Sequence, residues 1–373
     1  MPARSHTPRR KAKAAKAAPA GRQRVLVARY VGLGLGMLAV AIVGMWAYAN
    51  YYPSIRPRSG AQVLLVPTGS TYSDLQHVLD TAQVVRDWDS FEFVAAQMNL
   101  ANSVKPGRYR IGSAVSCRSL ITRLRAGLQD PLPLRVPSRR TVAAICEVLG
   151  EQLECSGDSI KKVLANVSLR DSLGFDEANL IGMFIPNTYE VYWNVSPRAL
   201  AIRLKKEHAR FWDSTRVALA AAQNLTPQQA SALASIVEWE TYRNDERPRI
   251  AGVYLNRIRR GMLLQADPTV IFAHQDWTMR RVLKKHLTID SPYNTYLYTG
   301  LPPGPILAPS VASLEAVLRP EQHEYLYFAA RPELDGYHNF SSTYTEHLSA
   351  AAGYHAELNR QARAARATAA RKP

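Results

Sequence analysis

Three cysteines in 373 residues, Cys117, Cys146 and Cys155, are too few and too scattered to form a metal-binding pattern. In an oxidising compartment Cys146 and Cys155 could bridge and leave Cys117 alone, and three unpaired buried thiols fit equally well. None has the look of a nucleophile. His323, His338 and His347 lack metal-ligand spacing, and loop or surface positions account for them, so no metal or other cofactor is expected. Acidic residues are missing from positions 1–29, which hold nine Lys or Arg of the net +17 and leave +8 for the rest. Charge of either sign is then missing from Tyr30 to Ala49, and the next charged residue is Arg56.

Twenty apolar residues at 1.5 Å each match a hydrocarbon core of about 30 Å. Trp46, Tyr48, Tyr51 and Tyr52 cluster at the far end, as interfacial aromatics do. A cleaved signal peptide has a shorter apolar core, and bulky tyrosines stand here where a cleavage site needs small residues. The reading is a basic cytoplasmic tail (1–29), a transmembrane helix (30–49) and a stalk (50–60), with the remainder exported across the membrane. A basic flank of this kind explains the charge without nucleic acid.

Beyond the stalk lies a weak internal echo. "LLVPTGSTYSDLQHVL" (64–79) and "PLRVPSRRTVAAICEVL" (133–149) share Val-Pro, and Leu75, Val78 and Leu79 match Ile145, Val148 and Leu149 at the same 70-residue offset. Each predicts a strand, a polar turn and an amphipathic helix. Between them "KPGRYRI" predicts a turn and strand, and "CRSLITRLRAG" a helix stopped by Gly127. Residues 61–150 are thus read as small α+β modules, serving as scaffold or as a ligand grip. A helical connecting region (151–225) follows, broken by "MFIPNTYEVYW", whose aromatics suit core packing or a saccharide ledge. The basic end, 351–373, reads as a solvated helix or tail.

Thr226-Pro227 is a strong helix start, a capping hydroxyl followed by Pro at the first helical position. In "QQASALASIVEWET" a 3.6-residue repeat places Leu233, Ile236, Val237 and Glu240 on one face, while Glu238 points elsewhere. A carboxyl on an apolar stripe loses hydration, which raises its pKa, and a protonated acid is what glycosidic cleavage needs. The competing reading pairs Glu240 with Arg243 or Arg247 at the solvent edge. Next, "RPRIAGVYLNRIRRGM" predicts a helix with Ile250, Val253, Tyr254 and Ile258 inward and Asn256 and Arg257 off that face. In "LLQADPTVIFA", Gln265, Asp267 and Thr269 alternate like one face of a strand, although Asp267 before Pro268 also suits a turn. The uncharged loop "SPYNTYLYTGLPPGPI" carries Asn294, Thr295 and Tyr296, groups that suit a neutral sugar polymer better than phosphate.

"ASIVEWET", "VYLNRIRRGMLLQADPTVIF", "SPYNTYLYTGLPPGPI" and "YLYFAA…HNFSSTYTEH" closely resemble the YceG-like family of endolytic murein transglycosylases, from the anchor to about residue 350. The resemblance implies an α+β fold: a transmembrane helix, LysM-like α+β subdomains at 61–150 and a mixed α+β catalytic domain at 226–350. It implies that Glu240, second in the E-x-E pair, is catalytic; Asn256, Gln265, Asp267, Thr269, Asn294, Thr295 and Tyr296, on the segments that follow, are the candidates to bind substrate. It further implies cleavage of the β-1,4 bond between N-acetylmuramic acid and N-acetylglucosamine within peptidoglycan strands, leaving 1,6-anhydro ends, with penicillin-binding synthases as partners. Where family members commonly have Phe-Pro-Asp, this chain has Ile185-Pro186-Asn187, so an acid acting there would be missing. Arg257 could meet a stem-peptide carboxylate or brace its helix. Two alternatives stay open: a hydrolytic muramidase in which Asp267 holds water, and a non-catalytic, membrane-anchored glycan-binding scaffold.

Overall fold

In a computed structural model of the chain, residues 20–58, 60–279 and 281–370 are described. Most of the basic tail expected at 1–29 lies outside the described residues, as do residues 371–373. The chain divides into two compact units, Met1–Gln129 and Asp130–Pro373. The two halves of the sequence echo therefore belong to different units.

In the first unit α1 (Ala20–Tyr51) contains the one stretch among the described residues that is long and apolar enough to cross a membrane, Arg24–Tyr51. Its apolar window is not buried in protein. Its end is: Ala49 and Asn50 are buried, and Arg118 donates to Asn50 Oδ1 at 3.1 Å. Then come β1 (Gln62–Val66), α2 (Tyr72–Ala82), α3 (Trp88–Gln97), β2 (Gly107–Ile111) and α4 (Cys117–Ala126). A reciprocal capping box of Thr71 and Asp74 starts α2, and Gly127, in the left-handed region at φ 66°, stops α4 as its position predicts.

The second unit opens with β3 (Leu132–Val136), α5 (Val142–Gly150), α6 (Gly157–Leu164), α7 (Val167–Leu173) and β4 (Asn187–Val191). The echo extends well beyond the two matched stretches. β1 pairs antiparallel with β2, and β3 with β4, in matching registers: Leu64 faces Tyr109 and Leu134 faces Tyr189. Both tyrosines are buried, and each hydroxyl donates to the carbonyl four residues earlier, Lys105 at 2.8 Å and Ile185 at 2.7 Å. The second repeat thus closes through "NTYEV", in what reads from sequence as a helical connection, because its partner strand lies beyond three helices. In the same run Phe184 and Tyr189 are core residues, which favours packing over a saccharide ledge.

The rest of the unit is helical: α8 (Pro197–Phe211), α9 (Ser214–Ala222), α10 (Pro227–Glu240), α11 (Arg247–Arg259), α12 (Asp267–His274) and α13 (Val311–Leu318). The antiparallel pair β5 (Tyr327–Ala330) and β6 (His338–Ser341) and the helix α14 (Tyr344–Ala370) complete it. α10 packs on α11 and α13 through Leu233, Ile236, Val237, Ile250, Tyr254, Leu314 and Val317. Gly252 lets the chain at Glu321 cross α11 closely, since a Cβ there would lie 2.6 Å from the Glu321 carbonyl oxygen. The expected strand through Gln265, Asp267 and Thr269 does not form. Gln265 takes a left-handed turn at φ 51°, and Pro at the first turn makes Asp267 the start of α12. The cysteines are all unbridged; Cys117 and Cys146 are buried, Cys155 partly so, and burial pushes the three thiols up.

Candidate active site

The site is built on the last turn of α10. The predicted start of this helix is a full capping box, in which Thr226 accepts from the Gln229 amide and Gln229 accepts from the Thr226 amide. Leu233, Ile236 and Val237 are wholly buried, which fixes the helix rotation. Successive residues then step about 100° around the axis, so positions 238, 239 and 240 point three ways. Glu238 Oε2 accepts from Ser313 Oγ at 2.6 Å and from the amide and hydroxyl of Ser310, the cap of α13. Its other oxygen lies 3.4 Å from buried Arg247. Glu238 is a fastening between helices. Trp239 stacks under the Arg140 guanidinium. Glu240 alone faces a cleft.

That cleft, of ≈ 310 Å³, is lined by Glu240, Tyr254, Arg257, Leu264, Gln265, Asp267, Tyr296, Phe328 and His347. Tyr254 on α11 donates to Glu240 Oε1 at 2.7 Å. Tyr254 is itself buried, with Phe328 edge-on at 5.8 Å between ring centroids. Burial pushes the Glu240 carboxyl up to about 7, and the negative charge of Asp267 adds to the rise. The Tyr254 hydrogen bond, His338 and Arg257 act in the opposite sense and leave burial dominant. Neither arginine suggested by sequence claims it. Arg243 donates to the Asp335 carbonyl, and Arg247 to the Thr241 carbonyl and to Ser310.

Of the substrate-binding residues expected from sequence, Gln265, Asp267 and Tyr296 join Glu240 in the cleft. Tyr296 donates to Asp267 Oδ1 at 2.6 Å, and burial together with that bond pushes the Tyr296 hydroxyl pKa well up. Thr269 and Thr295 lie behind the cleft wall, both buried and 2.8 Å apart through their hydroxyls. Thr295 also takes the Ala266 amide on its hydroxyl and the Gln265 amide on its carbonyl, so it clamps the uncharged loop to the start of α12. Asn294 is wholly buried and braces its loop, donating to the Leu287 and Ile289 carbonyls. Asn256 lies outside the cleft lining, donating at 2.7 Å to the His323 carbonyl and at 3.1 Å to that of Tyr325. Arg257 braces: it holds the carbonyls of Leu326, Leu263 and Leu264 while one edge reaches the cleft. Asn187, at the position where an acid was missed, is exposed at the start of β4 and away from the cleft lining.

Sequence reasoning passed over Tyr254 and His347. A tyrosine within an apolar stripe must find a partner for its hydroxyl, and that was a usable signal for Tyr254. His347 comes from α14, over a hundred residues downstream, and nothing local marks it. Its ring stacks on Tyr327 at 5.3 Å, its Nδ1 is buried without a hydrogen-bond partner, and burial lowers its pKa. Among the described residues no cluster of His, Cys, Asp or Glu could hold a metal ion.

A half-buried carboxyl raised to about 7 beside a second carboxylate, in a cleft that also presents two tyrosines, the Gln265 amide and an edge of Arg257, is suited to acid–base work on a polar substrate. Known proteins point the same way. The chain is 28% identical over 315 residues to an endolytic murein transglycosylase of Bacillus subtilis, covering 79% of this chain and 85% of that one. It is 26% identical over 299 residues to the endolytic murein transglycosylase of Streptococcus pneumoniae, covering 71% of this chain and 53% of the relative. The crystal structure of a YceG-like protein from Listeria monocytogenes superposes with a TM-score of 0.53 at 27% identity, covering 78% of this chain and 98% of that one. A sequence profile of the YceG-like family matches residues 64–353, and the chain belongs to that family.

Proposed function

We propose that the chain is a membrane-anchored endolytic murein transglycosylase, and that Glu240 is its catalytic acid and base. The observation that carries this reading is the Glu240 carboxyl, raised to about 7 in a cleft and held by Tyr254 rather than by an arginine. In the first step Glu240 gives its proton to the glycosidic oxygen as the bond from that oxygen to the muramoyl anomeric carbon breaks. In the second, the muramoyl C6 hydroxyl oxygen bonds to the anomeric carbon and its proton passes to Glu240. The acid is regenerated, a 1,6-anhydro end forms, and no water is consumed. The intramolecular attack has a high effective concentration and needs no second carboxylate. Tyr254 fixes the carboxyl, while Gln265, Asp267 and Tyr296 present polar groups to the sugar.

The anchor is α1, with the basic flank in the cytoplasm and both units outside. The LysM-like reading draws support from the order of the first repeat, strand, two helices, strand, with its strands paired antiparallel. Strand-synthesising enzymes are the partners this reading implies.

Asp267 supports a second reading. A carboxylate in the same cleft, oriented by Tyr296, is placed to hold a water, and hydrolysis would leave a reducing end instead. Digesting purified murein with the full chain in detergent, followed by mass analysis, decides the matter. Anhydro ends are the expected product. Reducing ends would establish the hydrolytic reading, and intact strands that stay bound would leave only a glycan-binding scaffold.

A further inference from the structure

Trp239 points away from the cleft, and what it touches forms a second cavity of ≈ 460 Å³, bounded by Arg139, Arg140, Thr141, Trp277 and Leu307. The Arg140 guanidinium lies 4.1 Å from the Trp239 ring and 5.6 Å from that of Trp277, and the two indoles are 6.4 Å apart. Two aromatic faces hold this cation in place and reduce the freedom it loses when a ligand binds. The loop carrying it is pinned as well: Ser138 donates to the Ala308 carbonyl at 2.7 Å, and the Ala308 amide to the Arg139 carbonyl at 2.9 Å. The Arg139 guanidinium donates to its own loop at Ser138, and among the described residues neither arginine meets a carboxylate. Trp277 is 36% exposed.

Two guanidiniums without acids, beside an open indole face, match a ligand with a flat C–H surface and a carboxylate. A muramoyl residue has both, its carboxylate coming from the stem peptide or, in a bare strand, from the lactyl group. The cavity and the catalytic cleft share α12 as a connection. α12 begins at Asp267 in the cleft and runs eight residues, about 12 Å at 1.5 Å each, with Trp277 three residues past its end. We propose that this cavity is a second glycan subsite, where Trp277 stacks a muramoyl ring and Arg139 and Arg140 take its carboxylate while Glu240 cuts elsewhere on the same strand. The proposal rests on the peptidoglycan reading above and adds the anionic sugar recognised away from the cut.

The test is calorimetric binding of glycan fragments to the full chain in detergent, carrying Glu240→Gln so that nothing is consumed. Fragments with stem peptides and fragments stripped by an amidase form the two arms. Arg139→Ala and Trp277→Ala, each added to the parent, weaken binding by about tenfold, the scale of one lost charge-assisted or stacking contact. Loss confined to stem-bearing fragments assigns the carboxylate to the peptide, loss confined to stripped fragments assigns it to the lactyl group that the amidase frees, and equal loss in both arms means that the site takes either. Arg139 touches little beyond its own loop, so that variant stands even if Trp277→Ala disturbs Trp239. Affinities within twofold of the parent for both variants overturn the proposal, as does a parent that binds neither fragment. A wild-type chain that binds through these residues yet cleaves no murein would refute the catalytic reading and leave the subsite intact.

Discussion

Replacing Glu240 by Gln tests the raised acid of the cleft through stability rather than turnover. Burial moves the carboxyl from its usual 4.5 to about 7 in the folded chain. Between those values the folded chain holds more protons than the unfolded one, so stability falls as pH rises through that window. Glutamine has nothing to titrate and removes this slope. For one group with these two pKa values, wild type loses about 2 to 3 kcal/mol relative to Glu240→Gln between pH 5 and pH 8. Terms that do not depend on pH, such as an imperfectly bonded glutamine amide, cancel in that comparison. Urea unfolding of the full chain in detergent, followed by tryptophan fluorescence, reads the relevant unit, since Trp193, Trp212, Trp239 and Trp277 belong to it. The variant should gain on wild type steadily from pH 5 to pH 8. Stability differences that stay constant from pH 5 to pH 8 would refute the argument, because they mean a carboxyl that titrates as if in water.

Other substitutions separate the roles of neighbouring side chains. Tyr254→Phe removes a hydrogen bond that lowers the Glu240 pKa, whereas Asp267→Asn removes a charge that raises it. The alkaline limb of any activity should therefore move up in the first variant and down in the second, and shifts of the same sign would contradict the geometry. Glu238→Gln leaves buried Arg247 without its acid and loosens the cap of α13, at a cost of about 3 kcal/mol in urea unfolding. The two glutamates of one E-x-E pair thus differ in kind, since only the Glu240 variant gains on wild type as pH rises from 5 to 8. Asn256→Ala frees two carbonyls at His323 and Tyr325 and should lower stability by about 1–3 kcal/mol, with KM for glycan unchanged. A raised KM at wild-type stability would return Asn256 to the binding site.

What sequence made legible here is what local chemistry decides. Thr226-Pro227 starts α10 where a capping hydroxyl and a proline must, and the 3.6-residue repeat alone separates the direction of Glu240 from that of Glu238. The same reasoning failed at Gln265–Thr269. Three alternating polar residues were too short a sample, and Asp267-Pro268 weighs more as a helix start than as a turn. Asn256, Thr269, Thr295 and Asn294 are polar residues that face backbone or one another rather than the cleft, and distinguishing these needs the tertiary partners at 287–289 and 323–325. The closing strand of the second repeat, Asn187–Val191, was hidden for a related reason: its pairing with Leu132–Val136 spans some fifty residues, beyond any local pattern. His347 and Phe328 reach the cleft from the distant carboxyl-terminal segment and carry no sequence signal of their own.

The most direct measurement is kcat/KM on purified glycan strands as a function of pH. An acid that must hold its proton at the start of the reaction predicts a single alkaline limb near pH 7, moving upward in Tyr254→Phe. A rate level from pH 5 to pH 9, or one that rises through 7, would mean that the Glu240 carboxyl does not deliver the proton.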